Sequence, residues 1–120
     1  MAVDILVTPA LYSVAKKRGI DLVADATRCY AVRTGTPRMG GITGSGCQLS
    51  GMMTAFLVAN RDNPLEAALA AVCTMGLAGE IAESRMQPGD GNATYSDRII
   101  DAVSLMDGTT LDKGAKYELL

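Results

Sequence analysis

Apolar residues fall at Leu49, Met52, Met53, Phe56 and Leu57, the i, i+3, i+4, i+7, i+8 spacing of one buried helix face. That helix is expected to end near Asn60. Asn63-Pro64-Leu65-Glu66 then offers a cap residue, a proline at the first helical position and a glutamate at the third, close to a capping box. A second helix is predicted from there to about Glu83. Its Ala67, Ala68, Ala70, Ala71, Gly76 and Ala78 let backbones approach closely, so it should be largely buried. Gln87–Asn92 reads as a loop, Ile99, Ile100, Val103 and Met106 mark a third helix, and 111–120 adds a short fourth.

Upstream the runs are shorter. Val3–Val7 reads as a strand, and Thr8-Pro9 as a cap with proline at the first helical position. A helix is predicted from Pro9 to Arg18, with Leu11, Val14 and Ala15 inward, Lys16, Lys17 and Arg18 in its last turn, and Gly19 as terminator. Ile20–Ala24 and Arg28–Arg33 then read as strands around a turn at Asp25-Ala26, followed by a turn at Gly35–Pro37. The expected fold class is α/β: short strands, a glycine-rich loop, then three to four packed helices. The 120 residues suit one domain, with a strand and helix segment over 1–38 and the loop and helices over 39–120.

Composition narrows the chemistry. With 48% apolar and 20% charged residues the chain can bury a core. Its net charge of −2 offers no basic field for nucleic acid or an anionic membrane. A membrane span is not expected, because Met52–Ala59 is short and Glu66 and Glu80 interrupt Leu65–Ala82. There is no histidine, which removes Ser/His and Cys/His pairs and most zinc sites. Three dispersed cysteines form neither a disulfide framework nor a CxxC metal site, and residues 1–4 lack a basic leader, so a reducing cytoplasm is expected.

One segment carries a chemical signature. Met39-Gly40-Gly41-Ile42-Thr43-Gly44-Ser45-Gly46-Cys47 holds four glycines in nine residues, directly before the first long helix. A glycine-rich turn opening a helix exposes unpaired backbone N–H groups at the positive end of the dipole, which favours anions. Gly44 and Gly46 let a phosphate approach the backbone, and Cys47 falls in the first helical turn, where negative charge is favoured. The P-loop pattern fails because Gly46 is followed by Cys47-Gln48, and the dinucleotide fingerprint fails at Leu49. Elsewhere the plainer readings hold: Cys29 and Cys73 as core, Met52 and Met53 as core, Asp90 as a turn residue, and Glu80 with Glu83 as a solvated helix edge.

Ile42-Thr43-Gly44-Ser45-Gly46-Cys47-Gln48-Leu49-Ser50, continued to Phe56, resembles the anion-hole segment of hydroxyethylthiazole kinases, in the ribokinase-like superfamily. Cys47 makes the match specific, since most superfamily members carry Asp there. Arg28–Val32 with Gly35 and Met39, and Gly91–Tyr95 with Ile99–Ala102, extend the similarity over about residues 20–120. The resemblance implies transfer of the ATP γ-phosphoryl group, with Mg²⁺, to the alcohol of 4-methyl-5-(2-hydroxyethyl)thiazole in thiamine biosynthesis and salvage. It implies an anion hole at Gly44, Ser45 and Gly46 with Gly44 near the alcohol, Cys47 in the base position, nucleotide contacts at Asn92 and Ala93, and a homo-oligomer, a trimer in the family. It assigns no metal ligand.

Two family features are absent: the Thr-Gly-Glu segment, since Arg18-Gly19 runs directly into Ile20-Asp21, and a histidine where Thr36 stands. Length suggests the C-terminal half of such an enzyme. Activity is then expected only if another copy or further sequence completes the chain. Two alternatives are an inactive fragment that binds nucleotide or phosphate, and a structural remnant that oligomerises through an exposed sheet edge.

Overall fold

A computed structural model describes the backbone of residues 4–7 and 12–17 and all of residues 19–120. Five antiparallel strands, β1 (Asp4–Val7), β2 (Tyr12–Lys17), β3 (Ile20–Asp25), β4 (Cys29–Val32) and β5 (Tyr117–Leu119), form one sheet in the order β1-β2-β3-β4-β5. Four helices lie between the last two strands in sequence: α1 (Ser45–Ala59), α2 (Pro64–Ser84), α3 (Asn92–Leu105) and α4 (Gly108–Gly114). A 3₁₀ helix, Pro37–Gly41, joins the sheet to the glycine-rich segment. The mixed α/β class, with short strands first and packed helices after, is as expected.

The predicted helix Pro9–Arg18 is overturned. Tyr12–Lys17 is strand, paired residue for residue with β3 from Tyr12↔Asp25 to Lys17↔Ile20. The left-handed Gly19 (φ 78°), read as a helix stop, therefore serves the turn between β2 and β3. Non-local pairing outweighs the local cap-like signals. The Thr8-Pro9 cap and Leu11 lie outside the described residues. The β3–β4 hairpin matches expectation. Asp25 closes it by accepting the backbone N–H groups of Thr27 and Arg28 at 2.8 Å each, bonds that hold its carboxyl below the usual carboxylate range.

α2 is the pillar of the molecule. Its alanines and glycines are small enough for the sheet, α1 and α3 to close around it, and 14 of its 21 residues are buried. The first half of α2 meets Val23 and Val32 of the sheet and Met53 of α1. The second half meets Tyr95, Ile99 and Ala102 of α3. Gly76 marks a close approach to backbone, where a β-carbon would overlap the Thr34 carbonyl oxygen on the loop after β4. By length and hydropathy α2 would suit a membrane span, which Glu66 and Glu80 do not prevent, yet 78% of its apolar window is buried inside the fold. It is used here as a core helix.

Three smaller expectations change. Asn63 starts α2 through its carbonyl, which accepts from Ala67 N at 3.0 Å, with no side-chain cap, so Pro64 and the dipole-favoured Glu66 carry the start signal. The expected helix over 111–120 is α4 followed by strand β5. Tyr117–Leu119 is too short to announce itself and forms by pairing with β4, Tyr117 meeting Tyr30 edge to face at 6.0 Å. Ile100, assigned to an apolar face, is 53% exposed.

Candidate functional site

Three contacts fix the 3₁₀ helix in front of the glycine-rich segment. Thr36 caps it, Oγ1 accepting the Arg38 N–H at 3.3 Å. Met39 lays its thioether across Gly79 of α2, where a β-carbon would collide with the sulfur. Arg38 stacks over the ring of Tyr95, 5.2 Å to the centroid, and the Tyr95 hydroxyl donates to the Gly79 carbonyl at 3.0 Å. Burial raises the Tyr95 phenol above its usual value and keeps it a neutral donor.

Beyond Gly41 the chain turns outward. Ile42 packs against the second core cluster, Thr43 is exposed, and Gly44 adopts a left-handed conformation (φ 93°, ψ −3°) as the residue before α1. A side chain is strained there, so the glycine is required. Gly44 O accepts from Gln48 N at 3.0 Å to start the helix, and among the described residues no side chain caps its N-terminus. No acidic residue occupies the first turn. Gly44, Gly46 and Cys47 are exposed and Ser45 half-buried, and nothing lies within 4 Å of a β-carbon built on either glycine. The predicted anion segment is thus an open helix N-terminus with the Cys47 thiol on the surface.

The other predicted pair, Asn92 and Ala93, opens α3 after Gly91, again with no side-chain cap among the described residues. The two openings are joined: Asn92 Nδ2 donates to the carbonyl of Gly41 at 3.0 Å. All six residues singled out in the sequence therefore lie at two neighbouring helix N-termini. Both termini present positive dipole ends. Among the described residues no group of three Cys, Asp or Glu is placed to hold a metal ion.

Sequence reasoning missed the latch behind this surface. Glu80, read as a solvated edge, accepts the Gly35 N–H at 2.8 Å and the Lys116 ammonium at 2.9 Å. Lys116 N in turn donates to Thr34 Oγ1 at 2.8 Å. One carboxylate thus ties α2, the loop after β4 and the approach to β5 together. Gly35 (φ 135°) after a strand was the only signal in the sequence. A cavity of about 300 Å³ lies apart from the glycine segment, lined by Phe56, Thr74, Met106 and Leu111 among others.

Comparison with known proteins assigns the chain. It is 50% identical over 99 residues to a hydroxyethylthiazole kinase of Clostridium acetobutylicum, covering 82% of this chain and 36% of that protein. It is 35% identical over 100 residues to one of Arabidopsis thaliana, covering 83% of this chain and 35% of that protein. The solved hydroxyethylthiazole kinase protein of Pyrococcus horikoshii OT3 superposes with a TM-score of 0.74 at 28% identity, covering 87% of this chain and 39% of that one. The match therefore spans little more than a third of the length of these relatives. Residues 10–108 match the family model described as the hydroxyethylthiazole kinase family, and the chain belongs to that family.

Proposed function

We propose that Gly44, Ser45 and Gly46 form the anion hole of an ATP-dependent phosphotransferase that acts on the alcohol of 4-methyl-5-(2-hydroxyethyl)thiazole. The observation that carries the reading is the left-handed Gly44 opening an uncapped, exposed α1 in a chain of this family. Phosphoryl transfer depends mainly on positioning and on stabilising charge spread over the equatorial oxygens. Backbone N–H groups of the first turn of α1 suit that task and need no reorganisation. The α3 opening at Asn92-Ala93, held beside them, suits the remaining phosphates. Cys47 takes the base position, with Gly44 beside the alcohol.

The charge stabilisation this segment itself offers comes from amides and the α1 dipole. Magnesium, an assembly of several copies and a cytoplasmic setting belong to the reading through the family resemblance. A second reading is phosphate or nucleotide binding without turnover, for which the exposed, uncapped opening of α1 suffices. Incubating the chain with Mg·ATP and the thiazole alcohol separates the two. Product that disappears in Gly46→Val supports the kinase. Its absence at saturating substrates, with Mg·ATP still bound, supports the second reading.

A further inference from the structure

We propose that Asn92 is a positioning residue, whose side-chain amide holds the glycine-rich segment, and through it the opening of α1, in the geometry that receives an anion. The proposal rests on the anion-hole reading, but the tether is visible without it. Met39 on Gly79, Arg38 on Tyr95 and Glu80 on Gly35 all act upstream of Gly41. From Gly40 to Gly46 little packing holds the backbone, since a β-carbon on any of its four glycines would meet nothing within 4 Å. Among the described residues the bond from Asn92 Nδ2 to Gly41 O, at 3.0 Å, is the one side-chain hydrogen bond that reaches residues 40–44 from another element.

The bond spans 51 residues of sequence and links the first residue of α3 to the last residue of the 3₁₀ helix. Three residues separate Gly41 from the start of α1. A carbonyl fixed there leaves only Ile42, Thr43 and Gly44 to set where the first amides of α1 point. Ile42 is held by the core and Gly44 by its left-handed conformation. Release of Gly41 would loosen both openings relative to each other, because the same bond holds them side by side. The role first suggested for Asn92, direct contact with nucleotide, thus becomes mainly one of holding the loop.

The test uses the full 120-residue chain and Asn92→Asp, Asn92→Ala and Asn92→Gln. Asp is favoured at a helix start, so Asn92→Asp removes the donor without weakening α3. Amide hydrogen exchange at Ile42 and Gln48, whose N–H groups donate to Met39 O and Gly44 O on either side of the loop, should quicken about tenfold in the Asp and Ala variants, as expected for one lost hydrogen bond, with α2 unchanged. Gln, which keeps the amide donor, should return exchange to within about threefold of the parent. With inorganic phosphate as probe, affinity should fall about fivefold in Asn92→Ala. Unchanged exchange at Ile42 and Gln48, or equal quickening throughout α2 and α3, overturns the proposal. The expected exchange pattern in a chain that binds no phosphate leaves the tether standing, overturns its anion-positioning role and sinks the anion-hole reading.

Discussion

α1 and α2 are adjacent and apolar, yet they are used in opposite ways. α2 is enclosed along most of its length, while α1 buries only Met53 completely and leaves its N-terminal turn open to solvent. Close packing of small residues makes α2 intolerant of added volume. The start of α1 is intolerant of added side chains for a different reason: backbone conformation at Gly44 and access at Gly46. One helix supports the fold and the other presents chemistry, and substitutions should separate the two.

The largest effect belongs to α2. Gly76→Val drives side-chain atoms into the Thr34 carbonyl, a backbone group with no room to yield, and should cost about 3 kcal/mol in denaturant unfolding. A loss under about 0.5 kcal/mol would break the contrast at its root. Next is Met53→Ala, which empties a fully buried site between α1 and α2 and should cost about 2–3 kcal/mol, against about 1 kcal/mol for half-buried Phe56→Ala. Equal costs at the two positions would mean that α1 is enclosed like α2. Gly44→Ala should cost about 1 kcal/mol of stability through its positive φ while reducing phosphate affinity.

The cysteines sharpen the same division. Burial pushes the Cys73 thiol of α2 up to about 11. A folded pKa raised above the unfolded value of 9.0 means a stabilising contribution fully present below pH 9.0 and lost as pH rises through about 11. Unfolding curves across that window should show the decline, and Cys73→Ala should remove it. A disulfide reagent at neutral pH should modify exposed Cys47 readily and reach Cys73 only on unfolding. The smallest effect is at the surface. Glu66 is held below the usual carboxylate range by its own backbone N–H and by Arg28 at 2.6 Å, so that contribution is present near neutrality and fades as pH falls through the lowered value. Glu66→Gln should change stability at pH 7 by less than about 1 kcal/mol.

The helical half was legible because punctuation and periodicity agree there. Gly44 before an apolar stripe, Pro64 at a helix start and the polar run to Asn92 each mark a boundary that packing also requires. The sheet was less legible. Pro9 and Gly19 flank a segment whose cap-like ends suit a helix, but Tyr12–Lys17 finds a six-residue partner in Ile20–Asp25, and hairpin pairing decides. β5 exists because β4 offers a free edge 85 residues upstream, a fact no local window holds. Of the site, Gly44–Cys47 could be read from glycine spacing and resemblance. The Asn92–Gly41 bond and the Glu80 latch could not, since each joins residues more than 35 positions apart.

The central claim is that the opening of α1 receives the phosphate. Titrating Mg·ATP into the isotope-labelled chain while following backbone amide signals tests it most directly. The account predicts the largest shifts at Ser45, Gly46 and Cys47, smaller ones at Asn92 and Ala93, and loss of both sets in Gly46→Val. Shifts confined to the cavity around Phe56, Thr74 and Met106, with the α1 opening silent, would contradict it.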